Sequence, residues 1–143
     1  MILVDTNLLL YAINADAVQH HRAARWLNEQ FVDTSRIGLP WHSLLGFVRL
    51  ASNRQMHPAS MTVEAAWAVV LGWLGAANVW IPQPTTRHAE VLDALIASTN
   101  VGSRAVMDVH LAALAIEHDL TLCSADHGFA RYPKLRWTNP LAD

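Results

Sequence analysis

The sequence holds a single cysteine, Cys123, among 143 residues. A lone cysteine forms no internal disulfide, so the expected setting is a reducing, cytoplasmic one. Lysine is almost missing: Lys134 is the one lysine among ten basic residues. No apolar run approaches the ~20 residues of a membrane span. MILV runs straight into Asp5 with no basic stretch before it, so it does not read as a signal peptide. Strong charge of either sign is lacking too, the formal net charge being −2. That excludes a protein that coats nucleic acid by charge alone, but not one that takes nucleic acid as a substrate. There is no Gly-rich phosphate loop and no G-x-S-x-G nucleophile elbow.

Apolar residues make up 52% of the chain, enough for one domain with a sizeable core. Met1 to Val4 reads as a buried parallel strand. Helices are expected over Thr6 to Ile13, His20 to Phe31, Trp41 to Leu50 and Val63 to Leu74, the last capped by Thr62. Asn53 to Ser60 reads as a turn containing Pro58. Short strands are expected at Ile37 to Leu39, Val79 to Ile81 and Leu120 to Cys123, with an edge strand at Leu135 to Trp137. Thr85 or Thr86 should cap a helix running to Ile96, and Val106 to His118 reads as an alanine-rich helix. Strands alternating with helices imply an α/β domain with a mainly parallel sheet and helices on both faces. The six tryptophans fit core and interface packing better than base stacking.

Three carboxylates stand out by position. Asp5 follows the first strand, and Asp126 lies just beyond the strand at Leu120 to Cys123. Sites in open α/β sheets form beyond the carboxyl ends of strands. Asp108 begins a helix that is apolar nearly all round, where a carboxylate is costly unless paired or bound to metal. Each acid alone also fits a plain role: Asp5 a helix cap, Asp108 a first-turn acid, Asp126 a turn residue. Together they would gather at one sheet edge, and crowded carboxylates need a cation to stay charged. Oxygen-only ligands favour Mg2+ or Mn2+ over zinc. The histidines offer no such set. His20 and His21 are adjacent and point apart, while His88, His110 and His118 lie on separate turns or helices, which implies packing or surface roles. Asp5-Thr6-Asn7 partly matches a phosphatase nucleophile motif, but that chemistry wants an aspartate where Asn7 stands.

The opening ILVDTNLLLYAIN and the later VMDVHLAALAIEHDLTLCSAD resemble the motifs of PIN-domain ribonucleases, specifically VapC toxins of toxin–antitoxin pairs. The tail DHGFARYPKLRWTNPL resembles the ending of one VapC branch. The resemblance implies one PIN domain over residues 1–143 and Mg2+-dependent hydrolysis of RNA. It places metal-holding, catalytic acids on Asp5, Asp108 and Asp126, with Ser124, Thr6 and Asn7 supporting them. It also implies a cognate antitoxin and a homodimer. Arg49, Arg54, Arg104 and Arg131 are candidates for RNA phosphates. Family members often carry a glutamate in the helix after the second strand. LPWHSLLGFVRLASN has no acid, and the missing place aligns with Leu44, next to Ser43. Three carboxylates can still hold one ion, which leaves a second ion open. The rival reading is a catalytically weakened PIN-like protein that binds RNA or a partner without cutting.

Overall fold

The computed structural model describes residues 1–33, 36–56 and 59–143. Pro58, in the expected turn, lies outside them. The strands are β1 (Ile2–Val4), β2 (Ile37–Gly38), β3 (Val79–Trp80), β4 (Thr121–Cys123) and β5 (Trp137–Thr138). The helices are α1 (Thr6–Ile13), α2 (His20–Asp33), α3 (Trp41–Ala51), α4 (Val63–Leu74), α5 (His88–Thr99) and α6 (Val106–Glu117). Short 3-10 turns over Ser103–Ala105 and His127–Arg131 stand where no helix was expected.

All strand pairs are parallel, in the order β3-β2-β1-β4-β5. The chain runs outward from β1 through β2 to β3, then crosses to β4 on the other side. The switch point therefore falls between β1 and β4, the place where open α/β sheets build their sites. Strand alternation sends Val4 into one apolar core and Leu3 into the other. The first core is closed by α1, α2, α3 and α4, with Leu8, Leu27, Phe47 and Val70 buried. The second is closed by α5 and α6, with Leu95, Val109 and Leu111 to Ala115 buried. Each fully buried Leu or Phe contributes ~1.5–3 kcal/mol. The sheet is thus covered on both faces, as its uninterrupted apolar strands require.

One helix start differs from expectation. Thr85 does not cap α5, which begins at His88 after Arg87. Its amide and hydroxyl instead donate to the Glu117 carboxylate at 2.9 and 2.7 Å, tying the approach of α5 to the end of α6.

Candidate active site

Asp5 leaves β1 in extended conformation and caps α1, its Oδ1 accepting from the Thr6 amide at 2.7 Å. Its other oxygen accepts from the Ser124 hydroxyl at 2.7 Å and from the Asn7 amide nitrogen at 3.3 Å. Asn7 also donates to Ser124 Oγ at 3.1 Å and accepts the Ala125 amide at 3.2 Å. Asn7 therefore clamps the end of β1 to the end of β4. Capping and site building are one act here: the same carboxylate ends the strand, starts the helix and meets the β4 loop. Asp5 is only 8% exposed. Burial raises its pKa, against the pull of the Ser124 and Thr6 hydrogen bonds.

Asp126 lies two residues beyond Ser124. Its amide donates to Ser124 Oγ at 3.0 Å, and its carboxylate caps the following turn by accepting the Gly128 amide at 2.8 Å. Asp108 enters from the first turn of α6, half-buried and with no cap of its own to make. Its pKa is pushed up to about 6 by burial first, then by the charges of Asp5 and Asp126, with Arg131 opposing. The three acids thus feel one another across the β1–β4 switch point. Among the described residues, however, no group of three His, Cys, Asp or Glu side chains is drawn tight enough to hold an ion. Asp5 is instead engaged by Thr6, Ser124 and Asn7, and Asp126 by Gly128.

The residues suit a divalent ion by donor type, since all three acids offer hard oxygen ligands. A further observation fits a hydrated ion. The Tyr132 hydroxyl is buried with no hydrogen-bond partner among the described residues, and it senses Arg131, Asp108 and Asp126. An unpaired buried hydroxyl is costly, and water on an ion beside those acids would relieve it.

The helix register of α3 sets the place aligned with the missing glutamate in the core. Leu44 is fully buried in the core with Phe47. The α3 residue that meets α1 beside Asp5 is Gly46, where a Cβ would lie 2.6 Å from Thr6 Oγ1. Thr6 in turn donates to the Ser43 carbonyl at 3.1 Å. This close approach of α1 to α3 uses the absence of a side chain at Gly46. What α3 turns toward Asp5 is His42, whose pKa is lowered by burial and by Arg49, while Asp5 opposes.

The PIN domain sequence family matches residues 2–135. Ribonuclease VapC37 of Mycobacterium tuberculosis is 39% identical over 142 residues, covering 99% of each chain. Ribonuclease VapC33 of the same species is 37% identical over the full length of both. The chain belongs to the VapC branch of the PIN-domain family. Solved PIN-domain relatives have the same fold at lower identity. VapBC-1 from nontypeable Haemophilus influenzae aligns with a TM-score of 0.70 at 16% identity, covering 99% of this chain and 100% of that one. Mycobacterium tuberculosis VapC20, described as a Sarcin-Ricin loop cleaving toxin, aligns at 0.66 and 19%, covering 95% and 99%.

This PIN domain also carries a polar file that the sequence reading divided among separate packing roles. His88 Nδ1 meets Glu117 Oε2 at 2.5 Å, and His88 Nε2 meets His110 Nδ1 at 3.0 Å. The His110 ring then lies edge-on to His42, centroids 6.0 Å apart. Burial would raise the pKa of Glu117, but hydrogen bonds from Thr85 and His88 outweigh it and hold the group low. His118 stands apart, bonded to the Gln83 carbonyl at 2.7 Å, and His20 to that of Tyr11 at 2.9 Å. Cys123 is buried, its thiol pushed up to about 12 by burial, so it is a core residue and no nucleophile. Among the arginines, Arg131 faces Asp108 electrostatically and Arg49 faces His42. No helix among the described residues is long and apolar enough to cross a membrane.

Proposed function

We propose that this protein is a metal-dependent endoribonuclease, the toxin of a VapBC-type toxin–antitoxin pair, hydrolysing RNA phosphodiester bonds in the cytoplasm. Residues 1–143 act as one PIN domain. The observation that carries the reading is the charge coupling of Asp5, Asp108 and Asp126 around one sheet edge. Full-length relatives named ribonucleases support it, as do structural neighbours that are VapBC proteins.

Asp5, Asp108 and Asp126 are the catalytic, metal-holding residues. When bound, Mg2+ or Mn2+ supplies an activated water and offsets charge building on the phosphate. Ser124 and Asn7 fix the Asp5 carboxylate from the β4 side, and Thr6 anchors α1 against α3. Arg131, beside Asp108, is placed to meet an RNA phosphate. The partners are RNA, a cognate antitoxin and a second copy of the chain. The second copy fits an apolar stripe of Trp41 and Leu45 on α3 with Val63, Trp67 and Leu71 on α4, all exposed. Trp41 and Trp67 stack at 6.4 Å and make the stripe continuous across both helices.

Incubating the purified protein with total RNA tests the reading. Cleavage with Mg2+ or Mn2+ that stops on chelation supports it. Intact RNA under every metal condition overturns it.

A further inference from the structure

Two of the three acids are held by donors, and the third is not. Asp5 accepts from Thr6, Ser124 and Asn7, and Asp126 accepts from Gly128. The Asp108 carboxylate has no hydrogen bond or ion pair among the described residues. A donor in the converse state lies within reach of its charge. Tyr132 is 3% exposed, and its hydroxyl is buried with no acceptor among the described residues.

The chain fixes where that phenol stands. Asp126 caps the turn after β4 through the Gly128 amide, and Arg131 Nε donates to the Gly128 carbonyl at 2.8 Å. The Tyr132 amide donates to the Phe129 carbonyl at 3.3 Å, and the two rings lie 6.1 Å apart. The Arg131 guanidinium sits 5.7 Å from the Tyr132 ring centre. Both rings belong to the core that α6 closes, together with Val109, the neighbour of Asp108. One short turn therefore carries an acid of the site at its start and a phenol at its end.

A phenol keeps its proton at neutral pH and donates it. Leaving that hydroxyl buried and unpaired is costly, so it calls for an acceptor. Water on a bound ion would serve the hydroxyl but leave Asp108 unheld. The Asp108 carboxylate answers both deficits at once, and a hydrogen bond to a charged acceptor is roughly twice as strong as one to a neutral group.

We infer that Tyr132 is the positioning residue for Asp108: its hydroxyl donates to the Asp108 carboxylate and fixes that acid for holding a divalent ion, as Ser124 and Asn7 fix Asp5. The inference rests on the ribonuclease reading and deepens it.

Tyr132→Phe removes the hydroxyl and keeps the ring. Mn2+ binding to the full chain is measured by calorimetry without RNA, and unfolding of the metal-free protein by denaturant. Cleavage of RNA by the parent is run beside them. Affinity for Mn2+ should fall about 10- to 100-fold, the usual cost of losing a group that orients a ligand. The metal-free variant should be no less stable than the parent, because there the hydroxyl has no partner to lose. A crystal structure of the Mn2+-bound parent should place Tyr132 Oη about 2.6 Å from an Asp108 oxygen. Parent-like Mn2+ affinity in Tyr132→Phe, beside a parent that cuts RNA, would overturn the inference and leave the ribonuclease reading intact. So would a hydroxyl turned to water on the ion, or a metal-free variant less stable than the parent, which would give the hydroxyl a purely structural partner. A parent that neither binds Mn2+ nor cuts RNA would overturn both.

Discussion

The Ser124 hydroxyl donates to Asp5 Oδ2 at 2.7 Å across 119 residues of sequence, joining the ends of β1 and β4 inside the proposed site. The same oxygen accepts from Asn7 and from the Asp126 amide. It is fully buried, so no water can replace it cheaply. Ser124→Ala should cost ~1–3 kcal/mol of stability by leaving these groups unpaired. RNA cleavage should fall while some activity survives, because the three acids remain. Thermal unfolding and cleavage rates of the folded variant check both. Unchanged stability and rate would show that the hydroxyl orients nothing.

Glu117 should give stability a simple pH signature. Its pKa is below the ordinary 4.5 in the fold, so the native state holds the charged form more readily than the unfolded chain. The unfolded chain then binds more protons in that window, and stability rises with pH there. The contribution is fully present above about 4.5 and is lost as pH falls through the folded value. Glu117→Gln should lower stability by ~1–3 kcal/mol at neutral pH, the worth of hydrogen bonds to a buried charge. Denaturant titrations of parent and variant should converge below pH 4.5. A gap that stays constant into acid would mean that the charge is not what matters.

The stripe on α3 and α4 predicts assembly. Leu71 is 52% exposed beside the stacked Trp41 and Trp67, in a position that one molecule leaves uncovered. Leu71→Lys places a charge in that patch and should turn dimers into monomers without unfolding either. Sedimentation velocity of the parent and variant decides it. A parent that is monomeric at high concentration would leave the stripe to another partner.

Much of the fold was legible because its signals are local. β1 and β4 are short apolar runs ended by acids or turn residues, and α6 is apolar nearly all round except for groups such as Asp108. Asp108 stood out as a charge on an apolar helix, and Asp5 and Asp126 by their places just beyond β1 and β4. The register of α3 was not, because Gly46 marks its contact with Thr6 by lacking a side chain. An absent side chain leaves no apolar or polar pattern to read. The Glu117–His88–His110 file was also hidden. Its members lie 29 and 22 residues apart on two helices, and only the packing of α5 on α6 brings them together. Thr85 misled for a related reason: a hydroxyl ahead of a helix reads as a cap, and here it serves a distant carboxylate.

The central claim is that Asp108 holds metal for RNA cleavage. The most direct test is the cleavage rate of Asp108→Asn, with Mg2+ binding followed by calorimetry. The change keeps the shape of the side chain and removes one of three coupled charges, so the fold should survive. Metal affinity should fall, and cleavage should drop by orders of magnitude. Asp5→Asn should behave alike, and the double variant should be little worse than either, because the acids act as one unit. If Asp108 merely favoured the start of α6, the substitution would cost at most ~1 kcal/mol of stability and leave the rate alone. A folded Asp108→Asn protein that binds Mg2+ and cuts RNA at the parent rate would contradict the account.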